Sequence, residues 1–182
     1  MNIFFIIIGI IALSIPVIIV LLREKRYYTP SSRWPSIAGN IGFAYQENPP
    51  RLQGRWKDRE ILISDEGTLI RVSAATKTSG SYRVEAGPKA LLEKEAGMVV
   101  PDRVELQDAR LSQALLARAY PAQAGQALDL TLLRKLAAFP EARLIGTPGK
   151  AELILNSSLS EANQLRQAAD IVVCLADALD AL

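Results

Sequence analysis

The sequence predicts an α+β fold, with one N-terminal transmembrane helix followed by a small domain of mainly antiparallel sheet packed with helices. Three observations predict it. Residues 3–22 read IFFIIIGIIALSIPVIIVLL and carry no charge. Between Leu52 and Glu85 apolar and polar residues alternate at period two, joined by turns too short for helical crossovers. Helical spacing takes over on either side and ends in an apolar stripe from Leu165 to Leu179. The expected organisation is an anchor helix at 1–22, a basic juxtamembrane linker at 23–33 and a cytoplasmic α+β domain at 34–182.

At about 1.5 Å per residue the apolar run covers roughly the 30 Å hydrocarbon layer of a bilayer. Ser14 is its one polar side chain, and a helix can return that hydroxyl to its own backbone. A signal peptide would bring a basic start, a shorter apolar core and a small-residue cleavage site; a buried core helix would show a polar face. This run has none of these features. Pro16 lacks an amide hydrogen and crowds the carbonyl of Ala12, which predicts a kink. Gly9 and Ala12 are small enough to admit a neighbouring helix. Arg23, Lys25, Arg26 and Arg33 follow the run and no basic side chain precedes it. The positive-inside rule then sets the N-terminus outside and the domain in the cytoplasm, at the inner membrane of the cell. Arg23, Lys25 and Arg26, with Tyr27 and Tyr28 at the level of an aromatic belt, form the expected membrane interface. Cys174 is the single cysteine, so no intrachain disulfide forms, in keeping with a reducing compartment.

The net charge of +2 conceals a gradient. Residues 23–59 carry eight Lys or Arg against three acids, and residues 60–182 carry thirteen against sixteen. Positive charge therefore lies nearest the membrane, where topology and anionic headgroups account for it, and nucleic acid is not an expected partner.

Within the domain, Trp34, Ile37, Ala38, Ile41 and Tyr45 share one helical face, with Pro35 in the first turn and Gly42 as a stop. Residues 52–57, 60–64, 68–73 and 82–85 read as strands, with turns at Asp58-Arg59 and Asp65-Glu66-Gly67. A short helix is expected from Pro88 to Glu95, stopped by Gly97, then a strand at Val104 and Leu106. Asp108 to Tyr120 carries two signals, a strand at Leu115–Tyr120 and helical spacing from Asp108 into Leu116. Asp129 caps a helix through Ala138, and Pro140 ends it. Residues 143–145 and 151–155 form a hairpin around Gly146-Thr147-Pro148-Gly149. Ser158 and Glu161 have capping-box spacing before the last helix.

The residue types point away from several chemistries. Histidine is absent, which removes the usual general base, the Ser-His and Cys-His pairs and the commonest metal ligand. One cysteine holds neither a structural zinc nor an iron–sulfur cluster, and amid Val172, Val173 and Leu175 it reads as a small core hydrophobe. The Gly146–Lys150 stretch lacks phosphate-loop spacing. Asp65-Glu66, Glu93 and Glu95, and Asp177 and Asp180 are the nearest acid clusters, at a turn or on solvated helix faces. No catalytic residue, cofactor or metal is expected. Trp34 and Trp56 each fall on an apolar face and read as core. Exposed together beside Arg55 and Arg59, they would instead mark a partner surface.

The expected function is that of a non-enzymatic accessory or scaffolding subunit of a larger membrane complex, of the respiratory or photosynthetic kind. The lipid bilayer and other membrane-protein subunits are its partners. Gly9, Ala12, Pro16, Trp34, Arg55, Trp56 and Arg59 are the candidate partner contacts. A tethered ligand-binding or sensory domain is the alternative and would show an apolar pocket between sheet and helices. A carboxylate-dependent membrane enzyme comes third and would show clustered acids with perturbed pKa values.

Overall fold

The computed structural model describes residues 31–93, 102–156 and 159–182. The expected anchor with Gly9, Ala12 and Pro16, the interface residues Arg23, Lys25, Arg26, Tyr27 and Tyr28, the stop at Gly97 and the cap at Ser158 lie outside them. Among the described residues, no helix is long and apolar enough to cross a membrane.

The elements run α1 (Trp34–Ile41), β1 (Ala44–Gln46), β2 (Arg51–Trp56), β3 (Arg59–Asp65), β4 (Ile70–Ala75), β5 (Arg83–Pro88), α2 (Lys89–Leu92), β6 (Asp102–Val104) and α3 (Ala109–Ala114). They continue with β7 (Leu115–Tyr120), a 3-10 helix (Ala122–Ala127), α4 (Leu130–Leu136), β8 (Arg143–Thr147), β9 (Lys150–Leu155) and α5 (Ala162–Asp180). The described strands form one sheet in the order β1-β2-β3-β4-β9-β8-β5-β7-β6, antiparallel at every pairing. The α+β class with mainly antiparallel sheet is as the sequence predicts.

Most local signals act where they stand. Gly42 adopts φ 73° after α1 and donates to the Ala38 and Gly39 carbonyls, so the helix ends there and Tyr45 falls in β1 rather than on the helix face. Asp129 caps α4 by accepting from the Leu132 amide at 2.6 Å. Both signals in 108–120 are used in succession. Asp108 accepts from the Arg110 and Leu111 amides to start α3, and the chain turns extended at Leu115 to enter β7.

Several expectations shift. Leu106 falls outside β6, and Thr68 and Leu69 precede β4. Three changes are larger. The β2–β3 turn falls at Lys57 and Asp58, both left-handed (φ 47° and 66°), so Arg59 opens β3 opposite Trp56 instead of sitting in the turn. The last helix begins later than a capping box at Ser158 and Glu161 requires. Glu161 is itself the extended N-cap, because Leu159 is buried and its carbonyl accepts the Trp34 indole N–H at 2.8 Å. Finally, β5 does not extend the β2–β4 meander, since the β8–β9 hairpin inserts between β4 and β5. The connecting loop 76–82 arches over the hairpin turn, with the Thr76 amide donating to the Gly149 carbonyl and the Tyr82 hydroxyl to the Thr147 carbonyl.

α5 lies on one face of the sheet. Its Leu165, Ala168, Val172, Leu175, Ala176 and Leu179 join Ile61, Ile63, Val72, Leu144, Leu153 and Leu155 in a single buried core. Gly146 allows the close approach: a Cβ there would meet Val84 Cγ2 at 2.6 Å and Leu179 Cδ1 at 2.7 Å.

Candidate docking surfaces

The residues singled out from sequence as partner contacts do not form one surface. Trp34 is wholly buried and hydrogen-bonded to Leu159. Trp56 and Arg55 are strand neighbours and so point to opposite faces of the sheet. Trp56 is half-buried and its indole donates to Asp170 Oδ1 at 2.8 Å, where Lys57 Nζ also reaches at 2.7 Å. Arg59 is a strut: it donates to Asp177 and Asp180 of α5, each at 2.6 Å, and to the Ala75 carbonyl at 2.9 Å. Arg55 is exposed on the far side. The reading of Trp34 as a possible contact thus gives way to core, because its indole N–H finds a partner only inside.

Asp177 and Asp180 are not both solvated, as helix periodicity suggested. The Asp180 side chain is 13% exposed and also accepts from the Lys77 and Thr78 amides and the Thr78 hydroxyl. Burial opposes its ionisation, but Arg59 and these donors outweigh burial and hold its pKa below the ordinary value. Asp170 behaves alike, with burial overcome by Lys57 and Trp56. Arg71 lowers Glu66, and the backbone amides of Leu111 and Arg110 lower Asp108. Each shifted carboxylate moves down, towards a structural anion and away from a general acid. Among the described residues, no group of three or more Asp, Glu or Cys could hold a metal ion. Cys174 is half-buried rather than sealed in the core, and Lys135 Nζ lies 3.3 Å from its sulfur.

The sheet face away from α5 has a different character. Directly opposed residues carry one row across it, through Gln53, Leu62, Ser73, Glu152, Ile145, Glu85, Arg118 and Arg103. The adjoining row holds Arg51, Ser64, Arg71, Ile154 and Arg143. Arg71 bonds Glu66 and Glu152, Lys150 reaches Glu152 at 2.5 Å, and Arg143 pairs with the buried Glu85. With Arg55, Arg83 and Glu60 included, eight basic side chains share this face with four acids among the described residues. Leu62, Ile145 and Ile154 stand half-exposed among them. α2 comes over the β5–β7 end, where Arg118 donates to the Leu92 carbonyl. Apart from Arg55 and Glu66, sequence reasoning passed over these residues. Their only signal was that polar positions of seven strands carry arginine or lysine, and it becomes a patch only once the strand order is known.

Beside this geometry stands one likeness. The chain is similar in structure to the mycobacterial trehalose monomycolate transport factor A, TtfA. The TM-score is 0.64 at 15% identity, over 84% of this chain and 96% of that one. At that identity the likeness shows the fold. No protein-family model and no curated protein sequence matches the chain.

Proposed function

We propose that this chain is a non-enzymatic, single-pass membrane protein whose domain docks on a larger membrane complex as an accessory factor. The observation that carries the reading is the open sheet face, where half-exposed Leu62, Ile145 and Ile154 are framed by Arg51, Arg71, Arg83 and Arg143. Aliphatic side chains within an arginine-rich surround are the composition of a protein interface rather than of a catalytic cleft. Residues 3–22 supply the anchor, with the N-terminus outside and the domain on the cytoplasmic side. The fold shared with TtfA, by its name a transport factor, supports a complex engaged in transport over the respiratory or photosynthetic kind first expected. The rival sensory reading wants a hollow between sheet and helices, and that space is filled by side chains from α5 and the sheet. The paired, down-shifted carboxylates weigh against the enzyme reading.

The test is extraction of native membranes in mild detergent, followed by native gel and mass spectrometry. Co-migration with other membrane subunits at fixed stoichiometry is the expected result, lost in an Ile154→Asp variant that keeps its circular dichroism spectrum. Migration free of other subunits overturns the reading.

A further inference from the structure

β6 closes one edge of the sheet. Among the described residues it pairs with β7 alone, which leaves its outer backbone groups without a strand partner. β6 is only three residues long and carries the charges of Asp102 and Arg103, but Asp102-Arg103-Val104-Glu105-Leu106-Gln107 contains neither proline nor lysine to bar a second strand. A groove lies on each side of this segment. One of about 480 Å³ runs between Val104 and Leu106, the 3-10 helix at Gly125 and the start of α4 at Leu130 and Leu133. The other, of about 390 Å³, runs along Ser112, Leu115 and Leu116. The segment is therefore a ridge with an open backbone edge and room for side chains on either hand. An extended chain adding to it would send alternate side chains into the two grooves.

The edge is complementary to itself. Arg103 and Glu105 are both exposed, flank Val104, and make no ion pair with any described residue. In antiparallel pairing centred on Val104, Arg103 of each copy stands opposite Glu105 of the other, and the two Val104 side chains meet on the twofold axis. Leu106 of the second copy then reaches the first groove, beside Leu130, which is 39% exposed at its rim. We propose that two copies of this chain pair through β6 in this register. The twofold axis of such a pair is normal to the sheet, so both open faces look the same way and stay uncovered. The pairing thus stands or falls separately from the accessory reading.

The experiment is disulfide trapping of the full-length chain in its membrane, in a Cys174→Ala background. Opposed residues of an antiparallel pair have Cα atoms about 4.5–5.5 Å apart, within the reach of a disulfide. Val104→Cys should give a covalent dimer on mild oxidation, whereas Gln46→Cys on the opposite edge should not. Adding Arg103→Glu alone or Glu105→Arg alone should abolish the dimer, and the two together should restore it. That restoration separates lost pairing from lost folding. A Val104→Cys chain that stays monomeric, a dimer indifferent to either single reversal, or a double swap that remains monomeric overturns the proposal.

Discussion

The two faces of the sheet are made by alternate residues of the same strands, and they meet opposite fates. In β9, Ala151, Leu153 and Leu155 are buried beneath α5, while Lys150, Glu152 and Ile154 look the other way. The covered face is sealed by shape, down to a glycine where a methyl group would collide. The open face is held by charge, with arginines cross-linking acids on neighbouring strands. Burial of apolar area gives the first face most of its contribution to stability, at about 25 cal/mol per Å². Its more exposed ion pairs, such as Arg71 with Glu66, contribute about 0–1 kcal/mol each, so this part of the second face is free to serve a partner.

Neighbouring residues of one strand test this contrast most sharply. Leu153→Ala should cost about 2–5 kcal/mol in urea denaturation, and Ile154→Ala well under half of that. Equal costs would mean that the open face is covered in the resting protein. Gly146→Val should cost about 1–3 kcal/mol, because Val84 and Leu179 must move aside for it. Replacing Arg59 by Met keeps the stem but strands the shielded Asp180, for an expected loss of about 1–3 kcal/mol.

The same junction sets a pH dependence. Asp180 is held below its ordinary value of 3.8 in the folded chain, so its contribution is complete above that value. It is lost as acidification carries the pH down through the lower folded pKa. Melting temperature should therefore fall on acidification from about pH 4, and Asp180→Asn should start lower and show a flatter fall. The smallest effect belongs to the open face. Arg71→Gln should cost less than about 1 kcal/mol, and added salt should narrow its difference from the parent protein. A large, salt-insensitive loss would place Arg71 among the buried struts.

The elements themselves were largely legible. The period-two runs, the left-handed Gly42 and Gly67, and the Asp129 cap act over four or five residues, and each lies where the structure uses it. The candidate site was less legible. Trp34, Trp56, Arg55 and Arg59 looked alike as large or charged residues near strands, yet one is core, two brace α5 and one is exposed. The turn moved by one residue, and with it Arg59 passed from a loop to a strut, since one step in a strand exchanges faces.

By itself the sequence determined the α+β class, the positions of most helices and strands, and the buried stripe of α5, because periodicity, caps and turns are local. Only the tertiary structure decided that the β8–β9 hairpin enters between β4 and β5, bringing Arg71, Glu152, Ile145 and Glu85 onto one surface. Strand pairing uses backbone groups that every residue carries. Which distant strands pair is settled by how the whole apolar surface can be buried at once, and no local pattern encodes that.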